Sequence, residues 1–152
     1  MIFQVGLNTL SIKQHHLQFY VLRKTISPSY LIRSVLETEM APALRQAMES
    51  QLREYDAIET QAHSIAAQRN WELPELNPAI RFMTDRMTRM KLSYGEADSK
   101  IAEMMIRGNT SGVIKGLKDL HQLNQWDEEV CTLSQKLLDT ESNNVDQMKQ
   151  FL

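Results

Sequence analysis

The stretch IRFMTDRMTRMKLSYGEADSKIAEM, residues 80–104, decides the fold. Its apolar positions Ile80, Met83, Met87, Met90, Tyr94, Ala97, Ile101 and Met104 alternate steps of three and four without a slip. That is the register of an amphipathic helix lying along a packing seam, whereas a strand would need period two. The spacing therefore predicts a helix over 80–104, the longest of the chain. Gly108, Gly112 and Gly116 follow at intervals of four, and residues 108–123 read as a bent continuation of this helix. The glycines leave a flat notch where another helix approaches, either the last helix of this chain or a second molecule.

Working outward, Leu44, Met48, Leu52, Tyr55, Ile58, Ala62 and Ile65 advance by threes and fours across a surface of Arg, Glu and Gln, which predicts a helix over 42–70. Downstream, Val130, Leu133, Leu137, Val145, Met148 and Leu152 predict a last helix from Asp127 to the end of the sequence. Its acidic first turn, Asp127, Glu128 and Glu129, complements the positive end of the helix dipole. Upstream, Leu31, Ile32, Val35, Leu36 and Met40 keep helical spacing, so a first helix is expected from about Gln14 to Met40 with a kink at Pro28. Residues 1–25 suit a strand or a buried helix equally and form a poorly defined N-terminal segment.

Short links at 41–42, 71–77 and 124–125 allow only antiparallel neighbours, so the expected fold is all-α, an antiparallel up-down-up-down four-helix bundle in one domain over 1–152. Five glycines and four prolines supply too little turn chemistry for a β-sandwich or barrel. The 17 basic and 19 acidic residues nearly cancel, which argues against nucleic acid and an anionic membrane as partners. No apolar run approaches the roughly 20 residues that span a bilayer. Residues 1–10 lack the features of a secretory signal, and the lone Cys131 cannot form an internal disulfide, so a cytoplasmic location is expected.

Chemistry-bearing residues are few. Di-iron bundles draw on Glu-x-x-His pairs, and His15, His16, His63 and His121 have Ile12, Lys13, Thr60 and Lys118 three residues upstream. Glu59 and His63 are four apart on one helix face, the spacing of two metal ligands and equally of a surface pair, the reading preferred here. Glu39, Glu59 and Glu141 fall near seams, where an acid needs a partner such as Tyr55 or Tyr94. These acids read first as a polar layer that fixes helix register. Met83, Met87, Met90, Met104 and Met105 read as gap-filling core rather than a ligand groove, and Cys131 as a buried spectator.

Three blocks carry a resemblance: Ser99 to Gly108 (SKIAEMMIRG), Gln51 to Tyr55 (QLREY), and Lys136-Leu137-Leu138 with Glu141, Asn144, Met148 and the closing Phe151-Leu152. Together they resemble an uncharacterised bacterial family, mostly from anaerobic Gram-positives, described as ferritin-like. The resemblance covers residues 30–152 and implies a ferritin-like bundle with no established activity. In that family a histidine usually precedes the Ile-Ala-Glu. Here Lys100 stands in its place and removes a ligand that would join Glu103.

The functional expectation is accordingly a non-enzymatic bundle acting through protein contacts, as a homo-oligomer or with a protein partner. A metal or redox bundle is the alternative, holding iron or manganese on Glu54, Glu59, His63, Glu103 and Glu141, and a hydrophobic small-molecule binder between the second and third helices is another. No cofactor is expected, since a divalent ion needs several oxygen or imidazole ligands together. Protein expressed in metal-supplemented medium and purified without chelators is therefore predicted to carry no stoichiometric iron or manganese by elemental analysis. One equivalent per chain, lost in Glu103→Ala or Glu141→Ala, would overturn this.

Overall fold

The computed structural model describes residues 27–73, 78–79, 96–123 and 127–152. Its elements are α1 (Ser27–Val35), α2 (Pro42–Gln68), α3 (Glu96–Leu123) and α4 (Glu128–Met148), followed by a 3-10 turn, Lys149–Phe151. Among the described residues there is no strand, and α3, at 28 residues, is the longest element. It runs unbroken through the three glycines, so residues 108–123 are part of the third helix. The expected seam over 80–95, the helical start at Gln14 and the links at 74–77 and 124–125 lie outside the described residues.

Both ends of α2 and the start of α4 have identifiable local causes. Proline lacks an N–H and has its φ set for helix, so Pro42 opens α2 at a position where the missing donor costs nothing. The residue before a proline is driven out of the helical region, and Ala41 is extended, with ψ at 144°. That bars the helix from running on through Ala41, but α1 already stops at Val35 and not, as expected, at Met40. The chain between them is tied down from elsewhere: Arg45 donates to the carbonyls of Leu36 and Thr38, each at 3.0 Å, and the Ala41 N–H donates to the Asp98 carboxylate of α3 at 3.1 Å. With the helix already ended, Glu39 is exposed rather than at a seam.

At the other end of α2, Asn70 takes a left-handed φ of 55°. The Asn70 N–H then bonds the Ala67 carbonyl and the Trp71 N–H the Ala66 carbonyl, which closes the helix in a Schellman turn. Trp71 folds back on the apolar cluster of Ile65, Ala66, Val130 and Leu133. Arg69 crosses to the start of α4, where both its Nε and one terminal nitrogen donate to a single Asp127 oxygen, at 3.1 and 2.7 Å. The second Asp127 oxygen caps α4 by accepting from the Val130 N–H. One carboxylate thus joins the end of α2 to the beginning of α4.

Side-chain pairs give the register. Gln51 meets Gln147, Tyr55 meets Asn144 and Arg69 meets Asp127, so residue numbers fall along α4 as they rise along α2. Gly112 and Gly116 of α3 meet Glu141 and Leu138 of α4 in the same opposed sense. Two apolar clusters fill the interior. One gathers α1, the first half of α2 and the first half of α3 around Ile32, Leu44, Met48, Ile101 and Met105, with Met148 of α4. The other joins the second half of α2 to the first half of α4 around Ile58, Ala62, Ile65, Val130 and Leu133. In α4 the buried row is Val130, Leu133, Leu138, Glu141, Asn144 and Met148. Val145 lies at its margin and Leu152 is exposed, because the chain leaves α-helical geometry at Lys149.

The glycines of α3 are not equivalent. A Cβ at 108 would meet nothing within 4 Å, one at 116 would press on a Leu138 methyl, and one at 112 would overlap the Glu141 carboxylate. The notch therefore faces α4 through Gly112 and Gly116, and Gly108 stands off it. Gly108→Ala is predicted to raise stability by up to about 1 kcal/mol from helix propensity alone. Gly112→Ala gains the same propensity but must displace a buried carboxylate, so urea unfolding should place it at least about 1 kcal/mol below Gly108→Ala. In a Glu141→Ala background that difference should vanish.

Candidate functional site

The chemically richest place among the described residues is a polar layer between the two apolar clusters. Tyr55 lies at its centre, fully buried on α2. Its hydroxyl donates to Asn109 Oδ1 of α3 at 2.8 Å and accepts from Asn144 Nδ2 of α4 at 3.0 Å. One turn earlier on α2, Gln51 Nε2 donates to Gln147 Oε1 at 2.7 Å. One turn from Asn144 lies Glu141, only 8% exposed, its carboxylate against Gly112. Within this layer Gln51 Oε1 and Asn109 Nδ2 are buried without a hydrogen-bond partner among the described residues.

Burial pushes the Tyr55 phenol well above the ordinary tyrosine value, since a phenolate would be taken out of water. The hydrogen bond from Asn144 acts the other way, and the negative charges of Glu141 and Glu54 add to the rise. Tyr55 is thus held as a neutral donor. Its one proton goes to Asn109 rather than to Glu141, the acid that the seam spacing offered it. Neutral amides and a locked phenol orient helices but supply no nucleophile or base.

The residues proposed as metal ligands do not converge. Glu54 is exposed, Glu59 and His63 form a surface pair at 3.6 Å, and Glu103 is exposed and bound by Arg107 at 2.6 Å. Only Glu141 points inward. Among the described residues no three His, Cys, Asp or Glu side chains stand close enough to hold one ion. Lys100 is also exposed, and the cation bonded to Glu103 is Arg107. Met105 is buried and Met104 partly so, in keeping with a core role, while Met83, Met87, Met90, Tyr94, His15 and His16 lie outside the described residues. Cys131 is half-buried at the edge of the second cluster rather than fully enclosed.

An apolar pocket between the second and third helices was the mark expected of a small-molecule binder. Residues 80–95 of that expected third helix lie outside the described residues; a groove of about 390 Å³ lies between α2 and α4, lined by Ile65 and Leu133 with Gln61, Ser64, Gln68, Glu128, Glu129, Thr132 and Lys136 and no Met or Tyr. Outside the interior, Ile114 and Leu117 stand on the outer face of α3, 51% and 46% exposed. No helix of the described residues is long and apolar enough to cross a membrane.

Four members of the polar layer, Gln51, Asn109, Asn144 and Gln147, escaped the reading of the sequence. The signal was their position: Gln51 lies four before Tyr55, Asn144 three after Glu141, and Asn109 four after Met105, each continuing an apolar row with an amide. No family model, curated protein or solved structure matches this chain. The comparisons thus add nothing to the family resemblance expected from the sequence blocks.

Tyr55→Phe leaves two buried amides without their shared hydroxyl and is predicted to cost about 1–3 kcal/mol in denaturant unfolding. The pH dependence has a definite sign. The folded chain keeps the Tyr55 proton at pH values where the unfolded chain, with an ordinary phenol near 10, has lost it. The folded state then binds more protons, so stability present below pH 10 falls as pH rises above it. Tyr55→Phe should remove that part of the alkaline slope.

Proposed function

We propose that this chain is a non-enzymatic helical bundle that acts by self-association through the outer face of α3. The supporting observation is the exposure of Ile114 and Leu117, three apart on the helix whose inner face is occupied by α4. A large aliphatic side chain half in water on a helix surface gains by being covered. The opposed registers of α2 with α4 and of α3 with α4 support the finer architecture that goes with this proposal, an up-down-up-down antiparallel bundle of ferritin-like type. Cys131 as the lone cysteine supports a reducing, cytoplasmic setting.

The magnitudes set the regime. Two copies would cover four half-exposed aliphatic side chains, worth about 1 kcal/mol each, against an association cost of at least about 4 kcal/mol. These terms roughly cancel, so flanking contacts must supply the surplus, and about 4–5.5 kcal/mol from them corresponds to a dissociation constant on the order of 0.1–1 mM. Sedimentation equilibrium up to about that concentration should show a reversible monomer–oligomer equilibrium. Ile114→Ser with Leu117→Ser should shift it to monomer while leaving the helical circular dichroism and Tm unchanged within a few degrees. A wild-type chain that stays monomeric throughout would overturn the proposal.

A further inference from the structure

On α3, residues Glu103, Arg107, Thr110, Ile114, Leu117 and His121 are spaced by four, three, four, three and four, and all six are exposed. They form a single stripe on the side opposite Met105, Asn109, Gly112, Gly116 and Asp119, the row turned toward the interior. That spacing is the a/d repeat of a two-stranded coiled coil, carried on the outside of a bundle helix. We infer that two copies of the chain pair through this stripe in opposite directions, as an isologous antiparallel helix pair. This rests on the self-association proposed above and adds its direction and register.

The stripe is complementary to its own reverse. Turned end for end, Glu103 falls opposite His121 of the second copy, Arg107 opposite Leu117, and Thr110 opposite Ile114. The acid then faces an imidazole. The methylenes of Arg107 lie on Leu117 while its guanidinium stays with Glu103 of its own helix, 2.6 Å away. A parallel alignment instead stacks Glu103 on Glu103 and Arg107 on Arg107, like charges that repel. Beside the stripe, Val113 and Leu120 are partly exposed, and the reversed pairing sets Val113 opposite Ser111 of the other copy, within one turn of that copy's Val113. Charge and shape thus select a second copy of this chain, in one orientation.

Disulfide trapping tests the pairing in a Cys131→Ala background. In the reversed register residue 110 opposes 114 of the other copy, whereas 110 with 110, or 114 with 114, is offset by a full helical turn and out of disulfide reach. A mixture of Thr110→Cys and Ile114→Cys proteins should cross-link several-fold faster than either alone. A charge exchange gives an independent readout. Glu103→Lys should weaken association on the order of threefold to tenfold through its two symmetric contacts, and adding His121→Glu should restore it. Faster cross-linking of either single variant by itself, or no rescue by His121→Glu, would overturn the antiparallel register while leaving self-association standing. A wild-type chain that is monomeric in sedimentation would overturn both.

Discussion

The hydroxyl of Tyr55 is the constraint on which the described interior depends. It uses its proton on Asn109 and a lone pair on Asn144, so one atom from α2 must stand between amides of α3 and α4. Apolar contacts tolerate sliding, because burial is non-directional and one methyl replaces another at similar free energy. A hydrogen bond in a dry interior does not, since a slip of one turn would leave a buried amide and a buried phenol unpaired. The layer thus fixes the vertical position of three helices relative to one another. The two apolar clusters on either side then provide most of the burial without having to define register.

The rest follows from holding α3 against α4 at that height. Gly112 leaves room for the Glu141 carboxylate and Gly116 for the end of Leu138, so the two helices approach where side chains would otherwise hold them apart. The corners are secured by ions placed on backbone ends: Asp98 on the Ala41 N–H, Arg45 on the carbonyls after α1, and Asp127 shared between Arg69 and the first turn of α4. With its inner row so committed, α3 turns Ile114 and Leu117 outward, and the bundle has an apolar face left over.

Helix identity was legible in the sequence because period is a local property. The α2 seam from Leu44 to Ile65 is buried along its length apart from the half-buried Leu52, and of the acidic first turn expected for α4, Glu128 and Glu129 lie in the helix while Asp127 stands just before it as its cap. Boundaries set by distant partners were not. Nothing near Val35 says that α1 ends there, because the carbonyls left over are satisfied by Arg45 and the following N–H by Asp98, contacts that exist only once the chain is folded. The site was half visible. The inward place of Glu141 followed from its spacing, but the exposure of Glu54, His63 and Glu103 and the half-buried place of Glu59 depend on which side of each helix its neighbours cover. Amides at core positions went unread because a polar residue in an apolar row looks like a margin until its partner is known.

The same hydroxyl also orders assembly in time. Gly112 and Glu141 are 29 residues apart in the chain, whereas Tyr55 is 54 from Asn109 and 89 from Asn144. Longer loops close at greater entropic cost, about 0.6 kcal/mol between separations of 29 and 54 residues, which favours pairing of α3 with α4 before α2 docks. Until both asparagines are in place Tyr55 has nowhere dry to put its hydroxyl, and a docked α2 would bury it unpaired. The polar layer therefore penalises misassembly: α2 docked on an α3–α4 pair out of register would bury the Tyr55 hydroxyl without its partners.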